Sequence, residues 1–543
     1  MSVSISFGLV DVSAKEDSTP TATYQQPFVD AAELEKELSV PPTATLEENY
    51  WRLDGAFRSF PDDRKGMGLI STVKSGEDLT YSSFPTLTVT FSENHSSTGI
   101  TFAFDSAGGW CSYLQLSWYQ GDTLLARSYF SPDSPLYVCK KTVENYNKLV
   151  VSFQKANAPG RYLKLYRIYY GIVRSFGEDE ITSASLLEEV DPISAEVSMN
   201  TLNFELYSED EEFSILNPTG IYTLLQQRQP LEVSESGRNM GTFYLDSWEN
   251  TSEQLIRMSC VDAVGVLDST TYRGGIYANQ SAGELFADIC SSGGFTVEVA
   301  ASLAAKTLSG WIPISSHREA LHQVAFAVGG MVDCSRSGMV RILEPSDTVA
   351  ISIAPDRKFL GGTVKLRQIV TGVEVTSHAY QESEESEELF NGTLEAGTHE
   401  ITFQAPHHTL TVTGATLSSN GPNYAMLVVS AAGTVTVTGK KYVDNTQITG
   451  VYADSIPAGA ATNVIRVENA TLVSPAAAPD AAQRLYDYYQ LRIEQDLSFA
   501  IGDERPGECV SVTTLYDTVK TGRVEQLSTD LIAGTTKAVI VGA

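Results

Sequence analysis

The sequence predicts a mostly β, multidomain protein. Alternating apolar and polar residues recur along most of the chain, for example at Leu87, Val89 and Phe91. A period of two is typical of strands with one buried face, and residues of the Gly, Asn and Asp type separate these runs as turns do. At roughly 100–200 residues per domain, 543 residues predict about three to five domains.

The first 48 residues predict little packed structure. Val3, Ile5, Phe7 and Leu9 alternate with polar residues and indicate one short strand. Residues 10–48 are rich in Thr, Ser, Pro and Glu, so we expect an extended leader with one short helix at Asp30 to Leu38. No basic stretch is followed by a long apolar run, so we expect no secretory signal here.

Residues 49–171 predict a β-sandwich, because short alternating runs follow one another at regular spacing. This stretch resembles the galactose-binding-like jelly rolls, the group of discoidin and carbohydrate-binding modules. The resemblance depends on Tyr50-Trp51-Arg52-Leu53-Asp54-Gly55, Thr98-Gly99-Ile100-Thr101-Phe102 and Ala158-Pro159-Gly160-Arg161-Tyr162-Leu163-Lys164-Leu165.

Residues 172–268 are again β-rich, and the period changes after them. Ser281 followed by Glu284, and Ser316 followed by Glu319, match the capping-box pattern that begins a helix. Glycine pairs at 293–294 and 329–330 predict where the two helices end. With a hairpin from 331 to 343, residues 269–353 predict a compact α/β insert.

Residues 354–543 predict a second β-domain. It carries a β-rich insertion at about 390–470, a helix from Asp480 to Tyr489 and three closing strands. The acidic run from Glu382 to Glu388 predicts a solvated loop.

The order of these parts resembles the central hub proteins of contractile-tail baseplates and the related tail-tip proteins of long-tailed phages. The resemblance covers roughly residues 175–543, and its most telling stretches are His317 to Gly330 and Asp333 to Gly338. It implies two tube-like β-barrel domains in each subunit and a homotrimer, so that six barrels match a hexameric tail tube.

The charge excludes some partners. A net charge of −30 and a pI of about 4.6 repel nucleic acid phosphates and anionic membranes. Under the hub resemblance, an acidic lumen would let DNA pass without sticking. No segment reaches the roughly 18 apolar residues of a membrane helix, so we expect no membrane insertion.

The sequence offers little chemistry. Six cysteines form no C-x-x-C pair; Cys290 and Cys334 suit small core positions, and a Cys111–Cys139 bridge stays open as an alternative. His317 and His322 are five residues apart, which does not place both on one helical face as H-E-x-x-H does. We expect no metal, no cofactor, no catalytic residues and no enzyme activity.

Two aromatic residues are candidates for binding a glycan. Trp110 follows two glycines in an expected loop, and Tyr119 precedes Gly121-Asp122. Sugar rings stack on exposed aromatic faces. The alternative, which we favour, is that both residues pack in the core or at a subunit contact.

The leading hypothesis is a structural hub subunit that joins the tail tube to the tail tip of a phage or phage-like particle, made in the bacterial cytoplasm. Its expected partners are its own copies, tube or distal tail proteins and other baseplate proteins, with DNA only passing through. One alternative is a tail adhesin that binds a host surface glycan. Another is a tail-associated peptidoglycan hydrolase.

Overall fold

A computed structural model describes residues 3–35, 45, 47–50, 57, 67–209, 211, 213–217, 225, 227–456, 459, 461–514, 516 and 518–542. Strands dominate over helices, which confirms the mostly β, multidomain fold class. The chain forms two compact units. The N-terminal unit runs from Ser6 to Ser175, and the C-terminal unit comprises the residues up to Ile5 and from Phe176 onward.

The N-terminal unit contains a helix, α1 (Val12–Asp17), a 3-10 turn (Ala31–Glu35) and a sheet in the order β3-β8-β4-β7-β5-β6, with β2 paired to β4. The predicted strand at the N-terminus is confirmed as β1. The strands of this part of the chain are β1 (Val3–Val10), β2 (Thr19–Ala22), β3 (Leu69–Lys74), β4 (Thr86–Phe104), β5 (Cys111–Gln120), β6 (Thr123–Phe130), β7 (Leu136–Ala156), β8 (Tyr162–Tyr169) and β9 (Gly171–Phe176). Trp118, Phe102 and Phe153 are fully buried in the core of the sheet formed by β2 to β8.

The segment 10–48 differs from the expected extended leader. Its strand β2 pairs antiparallel with β4, and Ala14, Ala31 and Leu34 are buried in the core of the sandwich. The few apolar residues of this polar segment therefore bury their surface against the sheet. The expected helix at Asp30 to Leu38 is a short 3-10 turn, and residues 36–38 lie outside the described part of the chain.

The C-terminal unit begins with a run of strands and an α/β insert. The strands are β10 (Ile181–Glu189), β11 (Thr201–Tyr207), β12 (Pro230–Glu235), β13 (Arg238–Asn250), β14 (Leu255–Val261), β15 (Thr271–Tyr272), β16 (Gly275–Ser281), β17 (Val297–Val299), β18 (Thr307–Ile312), β19 (Ser315–Ser316), β20 (Met331–Asp333) and β21 (Val340–Leu343). The helices are α2 (Ala263–Asp268), α3 (Ala282–Ser292), α4 (Ala301–Ala304) and α5 (His317–Val328).

The rest of this unit returns to strands. They are β22 (Val349–Ile353), β23 (Thr363–Leu366), β24 (Gly372–Ser377), β25 (Tyr380–Leu394), β26 (Gly397–Thr402), β27 (His407–Thr413), β28 (Thr416–Gly421), β29 (Tyr424–Val429), β30 (Gly433–Asp444), β31 (Gln447–Tyr452), β32 (Val464–Val467), β33 (Ile493–Ala500), β34 (Cys509–Thr513), β35 (Val519–Asp530) and β36 (Thr535–Gly542). The predicted helix near the C-terminus is confirmed as α6 (Ala478–Tyr489).

One continuous sheet joins the two β-rich parts of the unit. Among the described strands its path includes β23-β33-β36-β35-β10-β11-β14-β13-β12, with β34 paired to β35 and β22 paired to β34. The joint is the antiparallel pairing of β10 with β35, in which Ser185 faces Asp530 and Glu189 faces Gln526. The two regions predicted as separate tube-like domains therefore share backbone hydrogen bonds.

The helix starts predicted in the insert are confirmed. Ser281 and Ser316 cap α3 and α5 by accepting hydrogen bonds from the backbone N–H groups of Glu284 and Glu319. Gly329 ends α5 in the left-handed conformation. The predicted hairpin is also confirmed, as β20 paired with β21.

The acidic run at Glu382 to Glu388 is mostly exposed, as expected, but the predicted loop is wrong, because these residues lie inside β25, where Glu382 and Ser386 to Glu388 pair with β30. The acidic side chains meet cations of the opposite strand. Glu385 and Glu387 lie 3.1 and 2.9 Å from the ammonium of Lys441. Cross-strand ion pairs thus allow a run of like charges to adopt a strand.

Candidate functional site

The turn from Asp333 to Gly338 connects the insert to both parts of the long sheet. Arg336 is buried there, and its Nη1 donates to the carbonyl oxygen of Gly502 at 2.9 Å. Its Nε lies 3.5 Å from Oε1 of Glu188 in β10. One guanidinium therefore contacts the first β-rich part and the segment that follows β33 in the second.

Further hydrogen bonds hold the same turn in place. Asn200 donates from Nδ2 to Oγ of Ser335 at 3.4 Å, and its backbone N–H donates to Oδ2 of Asp262 at 2.9 Å. Arg341 pairs with Asp333 and donates to the carbonyl oxygen of Ser335 at 2.8 Å. A polar network of this density fixes the insert in one orientation.

Burial dominates the electrostatics of this junction. The side chain of Glu188 is fully buried, and neither of its carboxylate oxygens accepts a hydrogen bond from the described residues. Burial raises the pKa of Glu188 to about 7, although the Arg336 guanidinium opposes the rise. Burial likewise raises the pKa of Asp262 to about 7 against the hydrogen bonds from the backbone of Asn200 and Gly265.

A cleft of about 700 Å³ lies between the end of α5, the helix α6 and β35. Two of its lining residues, Tyr488 and Glu525, are hydrogen-bonded to each other and to Arg367. Arg367 donates to Oη of Tyr488 at 2.8 Å and to Glu525 at 2.7 Å, and Tyr488 donates to Glu525 at 2.7 Å. Burial raises the pKa of Glu525. These hydrogen bonds hold α6 against the sheet. The polar groups of Arg367, Tyr488 and Glu525 are therefore occupied by one another.

The strand β23 is an open edge of the long sheet. All four of its residues are exposed, and β33 is its only strand partner within the described residues. Val364 and Leu366 expose 71% and 69% of their surface, and Leu360 just before the strand is fully exposed. An uncapped edge with apolar side chains is a template for pairing with another chain.

The two candidate glycan-binding residues, Trp110 and Tyr119, do not lie close to each other. Trp110 precedes β5 and is half-buried against the core, whereas Tyr119 lies at the far end of β5 with the ammonium of Lys148 5.3 Å from its ring. Nine strand residues correspond to about 30 Å. Trp110 and Tyr119 therefore form no common site, and Trp51 to Gly55 of the quoted motif lie outside the described residues.

Cys111 and Cys139, for which the sequence left a disulfide bridge as an alternative, are both buried free thiols. Cys111 donates from Sγ to the carbonyl oxygen of Tyr113 at 3.1 Å, and burial raises the pKa of its thiol to about 12. Cys290 and Cys334 are buried in the core of the insert, as predicted.

Imidazole groups in the insert are held by local partners. Nδ1 of His317 lies 2.8 Å from Oγ1 of Thr270, and its Nε2 lies 3.1 Å from Oγ of Ser292. His322 lies 3.1 Å from Glu319. Within the described ranges no group of three or more His, Cys, Asp or Glu side chains is arranged to hold a metal ion. None of the described helices has the length and hydropathy needed to span a bilayer.

Comparisons with solved structures find tail proteins at low identity. The chain is similar to a 43 kDa tail protein of prophage MuSo2 from Shewanella oneidensis, with 12% identity, 68% of this chain and 94% of that chain covered, and a TM-score of 0.40. It is also similar to a tail protein from Neisseria meningitidis, with 11% identity, coverage of 66% and 96%, and a TM-score of 0.40. A third is an Escherichia coli component of the type VI secretion system, with 8% identity, coverage of 67% and 74%, and a TM-score of 0.35.

No family model matches the chain. No curated protein matches it either.

Proposed function

We propose that this chain is a structural hub subunit of a phage or phage-like tail, which joins the tail tube to the tail tip. The observation that carries the proposal is the continuous sheet through β10 and β35, built from both β-rich parts and ending at the open edge β23. The order of β-domain, α/β insert and second β-domain, which resembles that of hub proteins, supports it as well.

The open edge gives the sheet a means to extend between subunits. A strand of a neighbouring copy that pairs with β23 would cover Val364 and Leu366 and satisfy the free backbone groups. Repeated head-to-tail contacts of this kind close into a ring when the rotation between copies allows. We propose that three copies close the ring around a channel.

The exposed face of the sheet suits a channel that passes DNA. A cross-strand row runs through Asp530, Ser185, Asn203, Ser259 and Ser247, and none of these residues is basic or apolar. A polar face without basic groups in this row, on a chain with a net charge of −30, gives phosphates little to bind.

On the same face, Arg257 is neutralised by its neighbours. Its guanidinium lies 3.6 Å from Glu205 and 3.4 Å from Glu249. The proposed partners are accordingly other tail proteins, with DNA only in transit.

The test is the symmetry of the full chain inside its native particle, measured by electron microscopy, together with the mass of the purified chain in solution. We expect three copies around a central channel on the tail axis. A twofold or sixfold arrangement of this chain, or a position away from the tail axis, would contradict the hub proposal.

A further inference from the structure

One lysine of the N-terminal unit is buried in contact with a carboxylate. The Nζ of Lys164, in β8, contacts Oε2 of Glu47, and neither side chain has any exposed surface. The ring of Tyr50 covers the same nitrogen, with its centroid 3.8 Å from Nζ. An amine and a carboxyl group therefore touch each other in a place without access to solvent.

Hydrogen-bond donors hold both oxygens of Glu47. The backbone N–H of Tyr162 donates to Oε1 at 2.8 Å, and the hydroxyl of Thr45 donates to Oε2. Thr45 is itself buried. The carboxyl group is thus fixed beside the lysine nitrogen, and an N–H group is already bonded to the oxygen on which negative charge would develop if the nitrogen attacked.

Burial makes the charged form of this pair costly. It lowers the pKa of Lys164, although the carboxylates of Glu47 and Asp105 oppose the change. Transfer of one proton from the ammonium to the carboxylate that it touches gives a neutral amine and a neutral acid, which a core without water tolerates better than two ions. A desolvated neutral lysine is a nucleophile, and a protonated carboxyl group can lose its oxygen as water.

We propose that Lys164 and Glu47 condense to form an intramolecular amide bond. Nζ attacks Cδ of Glu47, the C–N bond forms, and the electron pair of the carbonyl moves to Oε1, where the N–H of Tyr162 stabilises it. As this pair returns, the bond from Cδ to Oε2 breaks and Oε2 leaves as water.

The step balances without an oxidant or a cofactor. One hydrogen of the water is the proton that the carboxylate took from the ammonium. The other comes from the attacking nitrogen and passes through the hydroxyl of Thr45, which contacts the leaving oxygen. One ammonium and one carboxylate are thereby converted to one amide and one water.

The amide ties two distant parts of the chain to each other. Lys164 and Glu47 are 117 positions apart, and the segment between them contains the strands β3 to β7. Like a disulfide, such a link removes conformations from the unfolded chain, and an amide carries no charge that burial penalises. The ion pair is the state that precedes condensation. The proposal goes beyond the hub function and is independent of it, since the bond forms within one subunit.

The test is the mass of the denatured full chain and of its tryptic peptides. We expect the chain to be lighter than its sequence by one water, and the peptide that contains Glu47 to be joined to the peptide that contains Lys164. Trypsin should also fail to cleave after Lys164, because the amide removes its charge. A chain of full mass would overturn the proposal. The same holds for a water lost within a single peptide, or for a link from Lys164 to Asp105.

Three variants sharpen the test. Lys164→Met removes the nucleophile, so its mass should equal that of its sequence. Lys148→Met is the matched control, because Lys148 is a lysine of the same unit with a partly exposed side chain, and this variant should still lack one water. Thr45→Val removes the hydroxyl that passes the proton and should show a smaller linked fraction.

The natural chain and Lys148→Met decide the proposal even if Lys164→Met folds poorly. A full mass for both would overturn it, and complete linkage in Thr45→Val would overturn the role of that hydroxyl. None of these results bears on the symmetry of the native particle, which tests the hub proposal separately.

Discussion

Glu188 makes the stability of the C-terminal unit depend on pH. Its pKa rises from an ordinary 4.5 to about 7 in the folded chain, so its contribution is fully present below pH 4.5 and is lost as the pH rises through 7. The rise corresponds to about 3 kcal/mol. Glu188→Gln should therefore reduce the loss of unfolding free energy between pH 4.5 and pH 8, as measured by denaturant unfolding. A variant whose loss equals that of the natural chain would show that Glu188 does not titrate in this range.

Lys164 illustrates the cost of a buried charge in the N-terminal unit. Its ammonium pairs with Glu47, both side chains are fully buried, and burial lowers the pKa of Lys164. Glu47→Gln removes the carboxylate that pairs with the ammonium and leaves Asp105 as the carboxylate that still acts on it, so we expect a loss of about 3 kcal/mol in unfolding free energy. Glu48→Gln is the control, because Glu48 is exposed. Equal melting temperatures for the two variants would contradict this ion pair.

At the scale of the element, the start of α5 depends on one hydroxyl. Ser316 accepts a hydrogen bond from the backbone N–H of Glu319 at 3.1 Å. Ser316→Ala should lower the unfolding free energy by about 1 kcal/mol, the usual cost of losing an N-cap. Ser315→Ala serves as the control, since Ser315 caps no helix. If Ser316→Ala lowers the unfolding free energy no more than Ser315→Ala does, this cap does not stabilise α5.

The end of α5 depends on a glycine for two reasons. Gly329 has a φ of 73°, and a Cβ there would come within 2.3 Å of Nη1 of Arg484. Gly160 has a similar φ of 68° with open space around it. Gly160→Ala should cost about 1 kcal/mol from backbone strain alone, and Gly329→Ala should cost more. Equal losses in thermal unfolding would show that Arg484 moves away freely.

At the scale of the whole molecule, the proposed assembly depends on the edge β23. Val364→Lys and Leu366→Lys place charges where a neighbouring strand would pair, and edge lysines are a common means of blocking such pairing. We expect both variants to stay folded and to lose the ring, as measured by light scattering and electron microscopy. Ile448→Lys is matched in exposure, 70% against 71% for Val364, and should assemble normally. Rings formed by both β23 variants would place the subunit contact elsewhere.

The sequence alone determined the features that depend on near neighbours in the chain. Ser281 and Ser316 begin helices because each cap bonds three residues ahead, and strands follow the period of two wherever one face is buried. The β-rich fold class and the helix Ala478–Tyr489 follow from the same local patterns. The resemblance to hub proteins likewise depends on the order of such elements along the chain.

Only the tertiary structure decided the features that depend on residues distant in sequence. The acidic run inside β25 is stable as a strand because Lys440 and Lys441 lie opposite it. The sandwich includes β2 because the partner strand β4 covers it, although the sequence of that segment resembles a solvated leader. Local patterns carry no information about such partners.

The candidate sites likewise depend on residues that are distant in the sequence. The turn that holds Arg336 was visible as a motif, but its role required Glu188 and Gly502 to meet it in space. Tyr113 and Tyr129 stack on each other only because the register of β5 and β6 brings the two rings together. Strand register is set by packing across the whole sheet, so the sequence predicted which residues form strands but not which side chains would share a surface.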